Sequence, residues 1–157
     1  MLELADVLEA RDRVATVARH TPLDYSHTFS EATGAEVHLK LETFQRTGSF
    51  KIRGAANRIS TLSPAEREAG VVTASAGNHA QGVALAGTKA GVDSKVVMPE
   101  YAPISKVRAT QAYGAEVVLH GSDYNEAQAK AHELAREEGR TYVHAFDDWR
   151  VMAGQGT

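Results

Sequence analysis

Apolar residues recur at helical spacing at the start of the chain. Leu4, Leu8, Ala15 and Ala18 fall near one side of residues 3–18, and acids and arginines take most of the remaining positions. A stripe of this kind predicts an amphipathic helix with one face against a core.

The hydrophobic period changes to two farther along the chain. Val37, Leu39 and Leu41 alternate with polar residues from 36 to 42. This alternation predicts a strand, because successive side chains of a strand point to opposite faces. Before it, Pro22 restricts the preceding residue and predicts an extended connection.

Two more helices are predicted before residue 70. Ser49 follows a loop and is placed to cap a helix that runs to about Leu62. A second helix opens at Ser63, with Pro64 at its first position and Glu66 placed to complete a capping box.

From residue 71 onward, short apolar runs alternate with helical stretches. The runs are 71–74, 95–98, 116–119 and 141–145, and the helical stretches lie near 78–90, 103–113 and 123–138. Each helical stretch is followed by a glycine, which tolerates the left-handed conformation that ends a helix. Strand, helix and strand at this spacing require crossover connections, and therefore a parallel sheet with helices on its faces. The predicted fold class is α/β.

The composition narrows the possible functions. Apolar residues make up 43% of the chain and charged residues 24%, as in an ordinary globular protein, and the formal net charge is -3. No basic run or basic helix face appears, which disfavours a nucleic-acid or membrane partner. The chain has no cysteine, which excludes disulfides and thiolate metal sites and is consistent with a reducing cytoplasm. The seven histidines show no close helical pairing; we expect no metal site and interpret them as surface or core-edge residues.

The first candidate for chemistry is the segment Thr47–Ala55, which contains Lys51. An isolated lysine in the first turn of a helix is usually only solvated, because the helix dipole opposes its charge. Here an aromatic residue, Phe50, precedes the lysine, and glycine and small residues flank it, so a flat ligand could approach the backbone. A helix start also lowers the pKa of a nearby ammonium and favours the neutral amine that a Schiff base requires.

The second candidate is the segment Thr73–Gly82. Backbone amides at a helix start, with a glycine among them, suit a carboxylate or a phosphate. The alternative is an ordinary strand-to-helix turn with Asn78 or Ser75 as its cap, and for this segment alone that alternative is favoured. Neither a Walker loop nor the G-x-G-x-x-G spacing of dinucleotide-binding proteins is present.

Together, the two segments resemble the fold-type-II pyridoxal-phosphate enzymes, and most closely the threonine dehydratases, also called threonine ammonia-lyases. Serine racemases and serine dehydratases are near relatives. Further matching motifs, in family order, are Arg19–Leu23, Lys40–Glu42, Tyr113–Ala115 and Gly154–Thr157. The resemblance covers essentially the whole chain and implies parallel sheets in three layers, of the tryptophan-synthase-β-like kind.

The resemblance implies a role for three residues toward the cofactor, pyridoxal 5'-phosphate. Lys51 would hold it as a Schiff base and later move the substrate's Cα proton. Phe50 would lie against the cofactor ring, and Asn78 would hydrogen-bond its phenolic oxygen.

The resemblance also implies that one loop binds the substrate carboxylate, namely Ser75, Ala76, Gly77, Asn78 and His79. Serine racemases resemble Ser-Ser-Gly-Asn here, and their second serine transfers a proton on the face opposite the lysine. Ala76 cannot do so, which favours elimination over racemisation. Related sulfhydrylases and synthases carry Lys-Asp-Arg where this chain has Lys-Ile-Arg at 51–53, which also favours the dehydratase branch.

The family pattern predicts the organisation of the chain. Residues 1–65 would form the first segment of a large cofactor domain, 66–150 a small α/β domain, and 151–157 the return into the large domain. The family's glycine-rich phosphate loop and the serine that faces the pyridine nitrogen would lie beyond Thr157. We therefore expect an incomplete, N-terminal fragment that binds the cofactor poorly and is inactive alone.

The implied function of the intact protein is β-elimination of threonine or serine to a 2-oxo acid and ammonia, in amino-acid metabolism such as isoleucine biosynthesis. A small amino acid is the expected substrate, and a homo-oligomer is the expected assembly. The opening MLELADVLEARDRV alternates acids and bases, so we expect no signal or transit peptide and a cytoplasmic location. The alternatives are a serine racemase and a non-catalytic α/β module that binds a nucleotide or another anion. A truncated chain that acts only through subunit association is a further alternative.

Overall fold

The computed structural model describes residues 2–157, which form eight α-helices and six β-strands. The helices are α1 (Leu4–Ala15), α2 (His27–Thr33), α3 (Lys51–Ser60), α4 (Pro64–Ala69), α5 (Asn78–Ala90), α6 (Ile104–Ala112), α7 (Tyr124–Glu137) and α8 (Trp149–Gln155). The strands are β1 (Leu23–Tyr25), β2 (His38–Lys40), β3 (Val71–Ala74), β4 (Ser94–Met98), β5 (Glu116–Leu119) and β6 (Thr141–Tyr142).

The main sheet has four parallel strands in the order β5-β4-β3-β6. Its two central strands, β3 and β4, are buried at every position, as expected where helices cover both faces of a sheet. Helices α5 and α6 pack on one face of the sheet, where Val96 and Met98 lie, and α7 packs on the other, against Val72 and Val97. The predicted α/β fold with a parallel sheet between helical layers is confirmed.

A separate group of helices packs beside this sheet. Helix α3 lies between α5 and α8, and Ile52 and Ile59 of α3 share one apolar cluster with Val83 of α5 and Val151 of α8. The described part of the chain also has a small antiparallel sheet, β1 with β2, whose residues are mostly exposed.

Glycines allow these helices to approach closely. A Cβ at Gly154 of α8 would lie 2.6 Å from the Arg53 carbonyl oxygen and 2.7 Å from the Gly54 Cα. A Cβ at Gly82 of α5 would lie 3.1 Å from the Lys51 carbonyl group. The start of α3 is therefore fixed by backbone contacts with helices on both sides, and side chains at these glycines would separate them.

Several local predictions hold and others are wrong. The capping box of Ser63 and Glu66 is present at α4, and Gly91 ends α5 in the left-handed conformation. Ser49 is not the N-cap of α3; Phe50 occupies that position, and the Ser49 hydroxyl accepts only a long 3.4 Å bond from the Lys51 amide.

The shortest elements differ most from the predictions. Strand β1 and helix α2 were not predicted, because they are too short for a hydrophobic period to reveal them. The strand predicted over 36–42 is present as β2 but covers only His38–Lys40. Strand β6 ends at Tyr142 rather than at 145, and beyond it the carbonyls of Val143 and Ala145 accept from side chains of other elements. None of the helices formed by residues 2–157 has the length and apolar character that crossing a membrane requires. The predicted division at residues 65 and 150 stays a prediction.

Candidate active site around Lys51

Lys51 is the first residue of α3, and its side chain is half-buried. Its Nζ donates a 2.8 Å hydrogen bond to the carbonyl oxygen of Ala145, which follows strand β6. Burial lowers the pKa of the Lys51 amine below its usual value of 10.5, because a low-dielectric surrounding disfavours the ammonium. This favours the neutral amine that the sequence analysis expected, but through burial rather than through the helix start.

Phe50 lies beside this amine. Its ring centroid is 5.4 Å from Lys51 Nζ, and the side chain is 46% exposed. An amine next to an open aromatic face leaves room for a planar ligand to lie against the ring.

The second candidate segment begins helix α5 and is adjacent to the first. Gly82, one turn after Asn78, contacts the Lys51 backbone, so the starts of α3 and α5 adjoin. The alternative in which Asn78 or Ser75 caps this helix is wrong: Gly77 is the N-cap, and within residues 2–157 no side chain caps the helix. The Ser75 hydroxyl instead accepts from the Gly77 amide at 3.2 Å, inside the loop.

The absence of a side-chain cap matters for ligand binding. The first amides of a helix point outward and need an acceptor, and negatively charged groups satisfy them well. A Cβ built on Gly77 meets no other described atom within 4 Å, and Asn78 is exposed. The Ser75 and Gly77 amides already donate to the Val97 carbonyl and the Ser75 hydroxyl. The amides that begin α5, at Asn78 and His79, remain without an acceptor among residues 2–157.

His79 is the site residue that differs most from its sequence interpretation. It is 3% exposed, so the surface or core-edge interpretation of the histidines is wrong for this one. Burial lowers the pKa of His79 to about 4, only partly opposed by its hydrogen bond to Val143, and the nearby Lys51 and His144 lower it further. The imidazole is thus neutral at pH 7.

Sequence reasoning missed the segment Val143–Ala145. The Val143 carbonyl accepts from the Thr73 hydroxyl at 2.8 Å and lies 3.2 Å from His79 Nε2, and the Ala145 carbonyl accepts from Lys51. These are backbone acceptors, and no residue type in the sequence marks them. The partners of this short segment lie 70, 64 and 94 positions away, so no local pattern could have indicated them.

The site residues therefore come together around two helix starts and one strand end. Lys51, Phe50 and the loop Ser75–His79 share this region. Across residues 2–157 no three acidic or histidine side chains are grouped as metal ligands. The arrangement combines a half-buried amine, an aromatic face and unsatisfied backbone donors, which fits a planar aldehyde ligand that also carries an anionic group.

Comparisons with known proteins agree with a site for a planar aldehyde that carries an anionic group. A family model described as "Pyridoxal-phosphate dependent enzyme" matches residues 14–157. The L-threonine dehydratase catabolic TdcB of Escherichia coli (strain K12) is 53% identical over 152 residues, which are 97% of this chain and 46% of that protein.

Solved structures give the same fold. Threonine deaminase isoform 2 from Solanum lycopersicum, in its processed form, has a TM-score of 0.89 and 45% identity over 96% of this chain and 43% of that one. Serine racemase from Dictyostelium discoideum has a TM-score of 0.89 and 37% identity, and the match covers 98% of this chain and 50% of that one. The chain spans less than half the length of the curated relatives that it matches.

Proposed function

The chain belongs to the pyridoxal-phosphate-dependent enzyme family, and from this premise we propose that it is the lysine-bearing part of a threonine or serine ammonia-lyase. The whole protein would eliminate the β-hydroxyl group of the amino acid and release a 2-oxo acid and ammonia. The observation that carries this proposal is the half-buried Lys51 amine, held at the Ala145 carbonyl beside the uncapped start of α5.

The residues around Lys51 fit the family's cofactor. Lys51 would hold pyridoxal phosphate through its amine, Phe50 would lie against the pyridine ring, and Asn78 would hydrogen-bond the phenolic oxygen. When bound, the cofactor supplies an electron sink that makes the substrate's Cα proton removable. The exposed Phe50 ring 5.4 Å from Nζ supports this assignment.

Lys51 would also move the Cα proton. The amine at Nζ, when free and neutral, would accept that proton. Burial keeps the pKa of this amine below 10.5, and a general base is most effective when its pKa lies near the working pH.

The loop Ser75–His79 would bind the substrate carboxylate through its backbone donors. The absence of a side-chain cap at α5 leaves the amides of Asn78 and His79 available for this bond. Holding the carboxylate fixes the direction of the Cα–H bond relative to Lys51, and such orientation accounts for a large part of the rate enhancement in many enzymes.

The alanine at position 76 favours elimination over racemisation. Racemisation requires a second proton-transferring group on the face of the substrate opposite the lysine, and a methyl group cannot serve. The curated relatives at about 50% identity are named as threonine dehydratases or ammonia-lyases, which favours threonine as the substrate. The Escherichia coli relative is named a catabolic enzyme, so a place in isoleucine biosynthesis stays a prediction. A cytoplasmic location, a homo-oligomeric assembly and the lack of nucleic-acid or membrane partners also stay predictions.

The test uses a full-length protein that carries this chain. It should be yellow and release ammonia from threonine, and Lys51→Ala should abolish both the cofactor absorbance and ammonia release. Lys89→Ala, an exposed lysine on α5, is the matched control and should change neither.

Retention of the absorbance in Lys51→Ala would reject the assignment of Lys51. Accumulation of D-serine would favour a racemase despite Ala76. Tight nucleotide binding without any response to pyridoxal phosphate would favour the non-catalytic module.

A further inference from the structure

The carbonyl of Val143 is held by two buried side chains. Thr73 Oγ1 donates to it at 2.8 Å, and His79 Nε2 lies 3.2 Å from it. Val143 and Thr73 are completely buried, and His79 is 3% exposed. Because water cannot replace either donor here, each side chain contributes to where this carbonyl sits.

Val143 is also where the backbone leaves the sheet. Its amide donates to Val72 at 2.9 Å, and within residues 2–157 this is the last backbone hydrogen bond that ties the segment to β3. Two residues later, the Ala145 carbonyl accepts from Lys51 Nζ. The position of the lysine's acceptor therefore depends on the anchor at Val143.

The hydrogen bond defines the form of His79. A carbonyl can only accept, so Nε2 carries the hydrogen. With a pKa of about 4 the ring is neutral at pH 7, and Nδ1 is buried without a hydrogen-bond partner in the described part of the chain. The titratable groups that act on this ring are Lys51 and His144, and a neutral ring adds no positive charge beside the lysine.

We propose that His79 is a positioning residue for Lys51: its Nε2–H holds the Val143 carbonyl and so presents the Ala145 carbonyl to the lysine amine. The importance of this role for the reaction rests on the proposed function of Lys51. The imidazole of His79 thus has a role of its own. In the proposed carboxylate-binding loop, His79 contributes only its backbone amide.

A role in packing alone makes a different prediction. If His79 only fills space, leucine should replace it as well as glutamine does. If the Nε2–H donor is what matters, glutamine should preserve its function, because its side-chain nitrogen can occupy a similar position, whereas leucine cannot donate. His79→Gln and His79→Leu therefore form a matched pair of variants.

The experiment is a pH titration of Lys51 by NMR, with 13C-labelled lysine in the 157-residue chain and no cofactor. The chain has six lysines, and the Lys51 signal is identified by its loss in Lys51→Arg. We expect His79→Gln to keep the titration midpoint of the unsubstituted chain. His79→Leu should shift it to lower pH, because the ammonium loses a well-placed acceptor.

Two further variants make the result decisive. Thr73→Val removes the other donor to Val143 and should shift the midpoint in the same direction. His38→Leu, in the β1–β2 sheet, should leave it unchanged. An unchanged or raised midpoint in folded His79→Leu overturns the proposal; should that variant not fold, the same result in Thr73→Val overturns it.

The titration is independent of the test of the proposed function. If the Lys51 midpoint moves as expected but Lys51→Ala keeps its cofactor absorbance, the proposed function fails and the positioning role stands. If the absorbance is lost but His79→Leu leaves the Lys51 midpoint unchanged, the positioning role fails and the proposed function stands.

Discussion

Helices α3 and α5 and helices α6 and α7 belong to the same fold but are built differently. Residues 52–59 of α3 are buried without interruption, and eight residues of α5 are buried. In contrast, Ala127 and Ala131 are the buried residues of α7, and Thr110 is that of α6. Helices α3 and α5, the central pair, are surrounded by protein. Helices α6 and α7, the peripheral pair, bury only the narrow face that packs on the sheet.

The two pairs also treat polar groups differently. In α3, the buried Arg53 pairs with Glu42, Arg58 Nε donates to Asp148 at 3.0 Å, and Asn57 donates to a backbone carbonyl at 2.7 Å. In α7, Lys130 and Glu133 form an ion pair that faces solvent. Burial makes an unpaired polar group costly, and the solvated side chains of α7 are free of that cost. In α6, however, the buried Thr110 hydroxyl has no hydrogen-bond partner among residues 2–157.

The helix starts show a third difference. Asp123 caps α7 by accepting from the Glu126 amide at 2.9 Å, while in residues 2–157 neither α3 nor α5 has a side-chain cap bond at its N-cap. Helix α6 also begins without a side-chain cap bond, at Pro103, so the contrast is between α7 and the two helices that adjoin at the candidate site. Stability at these starts therefore depends on packing, and the free donors are left for a ligand.

The largest expected effect is at the close contact between α3 of the central pair and Gly154 of α8. Gly154→Leu should destabilise the fold by more than about 3 kcal/mol, because its Cβ would meet two backbone atoms of α3 within 2.7 Å. Ala129→Leu, at an exposed position on α7, is the small-to-large control. Thermal unfolding followed by circular dichroism measures the stability of both variants. If the two are equally stable, the tight packing around α3 is no more sensitive to a larger side chain than the exposed face of α7.

The second effect compares two ion pairs. Arg53→Met should lower the free energy of unfolding by about 3 kcal/mol, because the Glu42 carboxylate, which is 15% exposed, loses its charged partner and is left with the hydrogen bond from the neutral Thr21 hydroxyl. Lys130→Met on α7 should not measurably change unfolding, since its partner Glu133 is solvated. Urea unfolding at pH 7 measures both, and a small loss in Arg53→Met would show that water reaches Glu42.

The third effect is on the pH dependence of stability. The pKa of His79 is lowered from 6.5 to about 4, so the unfolded chain binds its proton first. Above pH 6.5 His79 is neutral in both the folded and the unfolded chain and costs no stability. Between pH 6.5 and about 4 the free energy of unfolding falls by about 3 kcal/mol in all, and below that range this contribution is constant. His79→Gln should abolish this fall.

Glu42 provides an internal reference for that measurement. Burial alone raises its pKa, but hydrogen bonds from Arg53 and Thr21 and the Arg53 charge outweigh burial and hold the pKa below 4.5. Its contribution is present above pH 4.5 and is lost as the pH falls through the folded-state pKa, which is a lower window than that of His79. Urea unfolding from pH 8 to pH 3 separates the two windows. If the free energy of unfolding of His79→Gln depends on pH in the same way as that of the unsubstituted chain, the prediction is contradicted.

The smallest effect is at the periphery. Asp123→Ala should destabilise α7 by about 1 kcal/mol, since it removes the acceptor of the Glu126 amide. Asp123→Asn keeps a side-chain oxygen and should lose only a fraction of that. Hydrogen exchange in the first turn of α7 reports the local change, and equal protection in the two variants would mean that the cap contributes little.

The amount that could be predicted differs between the same two regions. The capping box at Ser63 and the stripe of Ala127 and Ala131 followed from neighbouring residues, because a helix start and an amphipathic face are local features. The start of α3 was wrongly predicted at Ser49, since contacts with α5 and α8 determine where that helix begins. Lys51 and the loop Ser75–His79 were predicted from motifs, but not the environment that lowers the pKa of the amine.

By itself, the sequence determined the order of strands and helices from residue 71 to 138, the α/β class and the family, because hydrophobic periods, turn residues and motifs each involve a few neighbouring positions. Only the tertiary structure decided that His79 is buried and neutral and that the carbonyls of Val143 and Ala145 face His79 and Lys51. Backbone acceptors have no signature in residue type. Their direction follows from how the end of β6 meets helices that lie 64 and 94 positions away.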